Sequence, residues 1–333
     1  MGDRLRIRTV VAALLAAVLM AGGCSADDTT QSGDVSTTSR PAITTTNTPQ
    51  APQGVFVGVD GVASDTTDTS RIVSLTGDIT EIIFALGRGD DVVAVDITTT
   101  YPEAADQLKR DGANVGFGQA LSAEAVLRYE PTLVIGDQTI EPAETIEQLR
   151  NAGVPVAILE YQTTLPGVET KIMHVAEILG EVEAGQELAG EVMESVAVAQ
   201  RLAARAETAP RVAYLYSRGP SLLFLFGANL PTQAMIEGAG ALDAGAELGE
   251  GPISLTPEAL IAAAPDVIVL PESGVEGLGG LDALLEIPGV AETPAAAAGA
   301  FLVYDEAYFF NLGPRVGDAL TEFVNDLYPE LAD

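Results

Sequence analysis

One stretch of this chain occurs twice. Residues 121–135 read LSAEAVLRYEPTLVI and residues 255–269 read LTPEALIAAAPDVIV, aligned without a gap at an offset of 134. Leu121, Glu124, Ala125 and Pro131 recur as Leu255, Glu258, Ala259 and Pro265, and Ser122 recurs in kind as Thr256. Each copy reads as a hydroxyl N-cap, a Glu in the first helical turn, then a Pro before a buried strand. Such a duplication predicts two homologous lobes. A carboxylate near a helix N-terminus is favourable by about 0.3–1 kcal/mol. Capping therefore explains an acid at this turn, but not its recurrence in both copies.

From Arg71 onward, short apolar runs alternate with helical patterns. Strands are predicted at 71–75, 91–96, 132–136 and 154–159. Helices are predicted at 79–86, 122–129 and 143–151, with Asp78 and Ser122 as N-caps and Gly87 as a C-cap. Continuously apolar strands separated by helices point to a parallel sheet buried on both faces. Residues 167–179 and 183–206 read as two helices broken near Gly180. The second would be about 36 Å long, a domain's width, which suits a strut. Strands resume at 211–217, 266–270 and 300–305, with helices at 232–238, 256–264, 280–285 and 314–327. The expected fold class is α/β: two Rossmann-like lobes joined by a long backbone helix. The N-lobe spans 70–165, the connecting helices 166–208 and the C-lobe 209–331.

The first residues belong to targeting. Arg4, Arg6 and Arg8 precede an apolar run, Val10 to Met20, and Ala21, Gly22 and Gly23 lead into Cys24. Eleven apolar residues fall short of the roughly 20 that span a bilayer, so 1–23 reads as an export signal. Cys24 is the only cysteine of the chain. Its position resembles a bacterial lipobox, which predicts thioether lipidation and a membrane-tethered protein; the alternative is ordinary cleavage with an unused thiol. A single thiol excludes an intrachain disulfide. Residues 24–69 are rich in Thr, Ser, Asp, Gln and Pro and read as a flexible tether.

The formal net charge of −32 argues against nucleic acid or anionic lipid as partners. An acidic surface serves either for solvation or for docking on a basic partner. Enzyme chemistry has little to stand on. The chain has one histidine, His174, no GxxxxGK[ST] phosphate loop and no Cys or His cluster for zinc.

The segment RIVSLTGDITEIIFALGRGDDVVAVDITTTYP (71–102) resembles the opening of the binding proteins of haem ABC importers. These belong to the wider class that also carries siderophores and cobalamin. LSAEAVLRYEPTLVIGD (121–137), NAGVPV (151–156), LTPEALIAAAPDVIVL (255–270) and NLGPR (311–315) fit the same family, so the resemblance covers about 70–331. It implies a ligand held between two lobes, with haem as transported cargo and no permanently bound cofactor. It also implies partners: a permease dimer with its ATPase, on whose Arg residues Glu124 and Glu258 would dock. Ferric siderophore or cobalamin is the alternative cargo. Siderophore sites generally want several Arg, and this chain has only 16 Lys plus Arg in all.

Within that resemblance, tyrosine is the candidate iron ligand, because a phenolate is a hard anionic donor suited to ferric haem. Tyr101 ends the TTTYP loop, where Pro102 biases it to an extended conformation, and several haem-binding relatives place an axial Tyr here. Tyr216 and Arg218 lie two apart in a predicted strand, on one face, so the Arg can stabilise a phenolate; another branch of the family has such a Tyr-x-Arg ligand. Tyr304, Tyr308, Phe309 and Phe310 follow the last strand, where α/β lobes face their crevices, and are candidate cleft walls. Arg315 is a candidate partner for a propionate. Tyr214 reads as core. His174 lies at the edge of a helix's apolar face and reads as structural.

Overall fold

A computed structural model gives the fold of residues 54–219 and 222–331. The export signal, Cys24 and the tether as far as residue 53 lie outside these described residues. The expected tether does not extend to residue 69. Strands β1 (Val55–Val57) and β2 (Ala63–Asp65) form an antiparallel hairpin. Its Ser64 hydroxyl donates to the Val156 carbonyl at 2.7 Å, and the Val59 amide donates to that of Ile158 at 2.9 Å. Asp60 pairs with Arg150 at 2.7 Å. Phe56 is buried and meets the edge of the His174 ring, with centroids 5.6 Å apart. The apolar alternation of VFVGV was outweighed in the sequence by its polar surroundings. In the fold it covers a sheet edge that would otherwise offer unpaired backbone groups.

The N-lobe sheet comprises β3 (Ile72–Ser74), β4 (Val92–Val95), β5 (Leu133–Asp137) and β6 (Val156–Leu159), all parallel, in the order β4-β3-β5-β6. Nearly every residue of these strands is buried, as expected for a sheet covered on both faces. Helices Leu165–Leu179 and Val182–Ala203 follow, separated at Gly180, whose φ of 73° ends the first in a left-handed cap. The second packs against Leu165–Leu179 on one side and against the C-lobe helix Val316–Leu327 on the other. It is the strut.

The C-lobe sheet is mixed. β7 (Arg211–Ser217) pairs antiparallel with β8 (Leu223–Phe226), β9 (Leu242–Asp243) lies parallel to the start of β7, and β10 (Pro252–Ser254) pairs antiparallel with β8. β11 (Val267–Pro271) and β12 (Phe301–Tyr304) continue on the other side of β7, both parallel. β9 and β10, of two and three residues, are too short to stand out in the sequence, and the apolar run LFLF of β8, as long as β12, was missed. The repeat is visible in three dimensions. Its two copies give helix Ala123–Leu127 before β5 and helix Pro257–Ala263 before β11. One apolar cluster runs from Ile72 and Leu133 through Val168 and Val175 to Leu320 and Phe323, so strut and lobes share a core.

Candidate ligand-binding site

Helix Gly77–Ala85 faces the C-lobe with two acids one turn apart, Asp78 and Glu81, both buried. Asp78 is not the N-cap expected from the sequence. Thr76 holds that place, and Asp78 forms an ion pair with the buried Lys171 of the first connecting helix. Lys171 also donates to the backbone carbonyls of Asn311 and Leu312, at 3.1 and 3.2 Å. Glu81 takes Arg315 in a two-pronged pair, with both N···O distances 3.0 Å. Burial raises the Glu81 carboxyl above its usual range, and Arg315 opposes that shift. The C-lobe is thus bolted to one N-lobe helix by two charged joints.

Arg315 carries the joint to the aromatic residues. Its guanidinium lies 3.8 Å from the ring centroid of Tyr101 and 5.0 Å from that of Tyr308. The expected propionate partner is therefore already paired with Glu81 and stacked on two rings. Tyr101 is 44% exposed, and Ile97 (52%) and Phe117 (44%) are exposed apolar side chains of the same lobe. Ile97 follows β4 and its amide donates to the Gly116 carbonyl, so Ile97 and Phe117 are carried by neighbouring loops at the C-terminal end of the sheet. The loop that bears Tyr101 is anchored by the buried Asp96. Its carboxylate accepts from the Thr98 amide (3.1 Å), the Thr98 hydroxyl (2.8 Å) and the Thr99 hydroxyl (3.2 Å). Burial pushes the Asp96 carboxyl up to about 7, against those bonds.

On the C-lobe, Arg218 donates through Nε to the Tyr216 hydroxyl at 2.7 Å and pairs through Nη2 with Glu306 at 2.9 Å. Burial raises the Tyr216 phenol, and the Arg218 hydrogen bond pulls it back down. Glu306 and Tyr308 share helix Glu306–Phe310, so this one turn touches both Arg218 and Arg315. The Tyr308 phenol is pushed up to about 12 by burial, with Glu322 and Asp318 adding to it. Behind Tyr216 runs a stack of rings, Tyr216, Phe226, Tyr214, Phe309 and Tyr304, with successive centroids 5.2, 5.2, 5.8 and 5.0 Å apart. Offset ring pairs of this kind are favourable by about 0.5–1.5 kcal/mol each beyond their burial. They fix the plane of Tyr216.

Tyr304 and Phe309 are not cleft walls. Tyr304 is buried and donates to Asp326 at 2.8 Å, and Phe309 lies between Tyr304 and Tyr214. The residues after β12 turn back on the core because helix Glu306–Phe310 starts at once, capped by Asp305. Tyr214 is core, as expected, and His174 is committed to Phe56. A groove of about 410 Å³ is lined by Thr164, Gln200, Asn229, Gln233 and Glu237 among others, and by none of these aromatics. Its walls mix these polar groups with Leu165, Pro166 and Ala234 and hold no aromatic ring, so the tyrosine region is the better candidate for a flat macrocycle. Glu124 and Glu258 are both exposed. Neither carboxylate makes a hydrogen bond or ion pair with another described residue.

The family model for periplasmic binding proteins matches residues 72–308. The chain belongs to the periplasmic binding protein family. Among solved members of this binding-protein family, the periplasmic haem-binding protein RhuT from Roseiflexus sp. RS-1, in apo form, is 43% identical; the match covers 79% of this chain and 100% of that one, with a TM-score of 0.76. The haem-binding protein HmuT is 30% identical over 84% of this chain and 91% of its own, also with a TM-score of 0.76. A vitamin B12-binding protein of Vibrio campbellii is 31% identical over 49% of this chain. The matched part spans only 57% of that relative's length. The α/β fold of two lobes, and a binding rather than catalytic family, agree with the expectations from sequence. The sequence reading missed Glu81, Lys171 and Glu306 and took Asp78 for a cap, because paired charges far apart in the chain leave no local pattern.

Proposed function

We propose that this chain is the extracytoplasmic binding lipoprotein of an ABC importer and that its cargo is haem, held between the lobes. The observation that carries the reading is the Tyr216–Arg218 hydrogen bond of 2.7 Å at a partly exposed phenol. A guanidinium donating to that oxygen lowers the cost of ionising it, and a phenolate is the donor that ferric haem takes. Tyr101, under Arg315, is the corresponding candidate on the other lobe. Ile97, Phe117 and Tyr308 supply apolar and aromatic surface for the macrocycle, and Arg218 supplies positive charge for a propionate. HmuT has also been solved as separate alanine variants of a tyrosine, of an arginine two positions after it and of a histidine. The tyrosine–arginine spacing is that of Tyr216 and Arg218.

Delivery follows from the repeat. Glu124 and Glu258, one per lobe and unpaired, give a pseudo-symmetric grip on a permease dimer that is itself driven by an ATPase. Cys24, lipidated, tethers the protein to the outer face of the cell membrane. Cobalamin is the second reading, favoured by the vitamin B12-binding relatives. Its macrocycle carries amide side chains in place of carboxylates and gains less from Arg218. Competition calorimetry of the purified chain with ferric haem and with cyanocobalamin decides between them. Haem is expected to bind at one to a few sites and cyanocobalamin to leave it undisplaced; tight cyanocobalamin binding with none for haem overturns the cargo assignment.

A further inference from the structure

We propose that Ile261 is an apolar anchor beside Glu258, so that the C-lobe offers the importer's membrane subunit a carboxylate together with a hydrophobic plug. The inference rests on the docking role given above to Glu124 and Glu258. Ile261 follows Glu258 by three residues in helix Pro257–Ala263, which places both on one face. It is 52% exposed, and Ala262 beside it is also exposed. Isolated apolar side chains on a surface are ordinary. Ile261 differs because its register to the unpaired Glu258 is set by the repeat.

The equivalent residue of the N-lobe copy is Leu127, three after Glu124. Leu127 is partly buried and packs on the N-lobe core. The next position there is Arg128, whose side chain turns onto the Tyr129 ring at 4.7 Å and donates to the Asn114 carbonyl at 2.7 Å. The two copies thus share the carboxylate and differ in what stands next to it. On the C-lobe, Gly289 (φ 94°) packs so closely that a Cβ there would lie 2.7 Å from the Cα of Pro257. That contact seats the loop from Leu285, another exposed apolar residue, against the turn that bears Glu258. The occupant this face fits is a protein surface with a basic group for the carboxylate and an apolar socket next to it. In an overall charge of −32, unpaired acids steer the encounter with such a basic face, and Ile261, covered on docking, holds it.

The test is the affinity of the full chain for its permease–ATPase complex in lipid nanodiscs, for wild type, Ile261→Ser, Ile261→Met, Leu127→Ser and the double variant Glu124→Ala/Glu258→Ala. Ile261→Ser is expected to bind about tenfold more weakly, the size of losing most of one buried apolar side chain. Ile261→Met should bind as wild type, with the unfolding midpoints of both Ile261 variants unchanged; Leu127→Ser, which loses core packing and so melts lower, should still lose less affinity than Ile261→Ser. If Ile261→Ser binds as wild type while the double Glu variant is weakened, the anchor is wrong and the docking role stands. If the double Glu variant also binds as wild type, both fall.

Discussion

The guanidinium of Arg315 lies 3.8 Å from the Tyr101 ring centroid while Glu81 holds the same group by two 3.0 Å bonds. The first residue belongs to the C-lobe and the other two to the N-lobe. A tyrosine proposed to face the cargo is therefore positioned by a contact that crosses the lobes, and lobe geometry and ligand geometry are one arrangement.

Removing the charge of Glu81 tests that coupling. Glu81→Gln keeps the volume and leaves Arg315 with a weaker, neutral partner. The expected loss is about 1–3 kcal/mol of stability, measured by urea unfolding. Haem affinity should fall with it, because Arg315, held less firmly, positions the Tyr101 ring less well.

The Lys171–Asp78 joint is predicted to behave as a buried pair. Lys171→Met leaves the Asp78 carboxyl group without its partner in the interior, at a cost of about 3–5 kcal/mol. Adding Asp78→Leu should recover only part of that loss, since the Asn311 and Leu312 carbonyls still lack the donor that Lys171 gave them. Unfolding midpoints of the single and double variants measure it.

Two tyrosines of one aromatic stack should respond oppositely to loss of the hydroxyl. Tyr304 donates to Asp326, and Tyr304→Phe is expected to cost about 1 kcal/mol. The Tyr214 hydroxyl is buried without a partner among the described residues. Tyr214→Phe should therefore be neutral or stabilising by about 1 kcal/mol. Thermal melts of the two variants separate these signs.

Asp96 sets a pH dependence. Its folded carboxyl titrates at about 7, above that of an unfolded chain, because burial disfavours the charge. Between pH 4 and 7 the folded state binds the extra proton, so this group's contribution to stability falls as pH rises and is lowest above 7. Asp96→Asn should remove that slope. The melting-temperature difference, variant minus wild type, is expected to be more positive at pH 8 than at pH 5.

Much of this was legible in the chain, and the limits are physical. The repeat exposed Glu124 and Glu258 because a duplicated local pattern is visible without a third dimension. The strands of the N-lobe were legible because a sheet buried on both faces is apolar throughout. Tyr216 and Arg218 were readable as a pair from the two-residue period of a strand. The fate of Tyr304 was not, since whether the last ring of a strand points to a crevice or the core depends on the packing behind it, here Phe309 and Asp326. Glu81 and Arg315 stand 234 residues apart, and nothing near either one signals the other. The hairpin at 55–65 was hidden because its apolar run is short and its value lies in the sheet edge it covers.

The most direct test of the account is the visible spectrum of the purified chain with ferric haem, recorded for wild type, Tyr101→Phe and Tyr216→Phe. The account predicts a wild-type band distinct from that of free haem, lost or shifted in at least one of the two variants. A wild-type spectrum identical to free haem, or two variants indistinguishable from wild type, would contradict it.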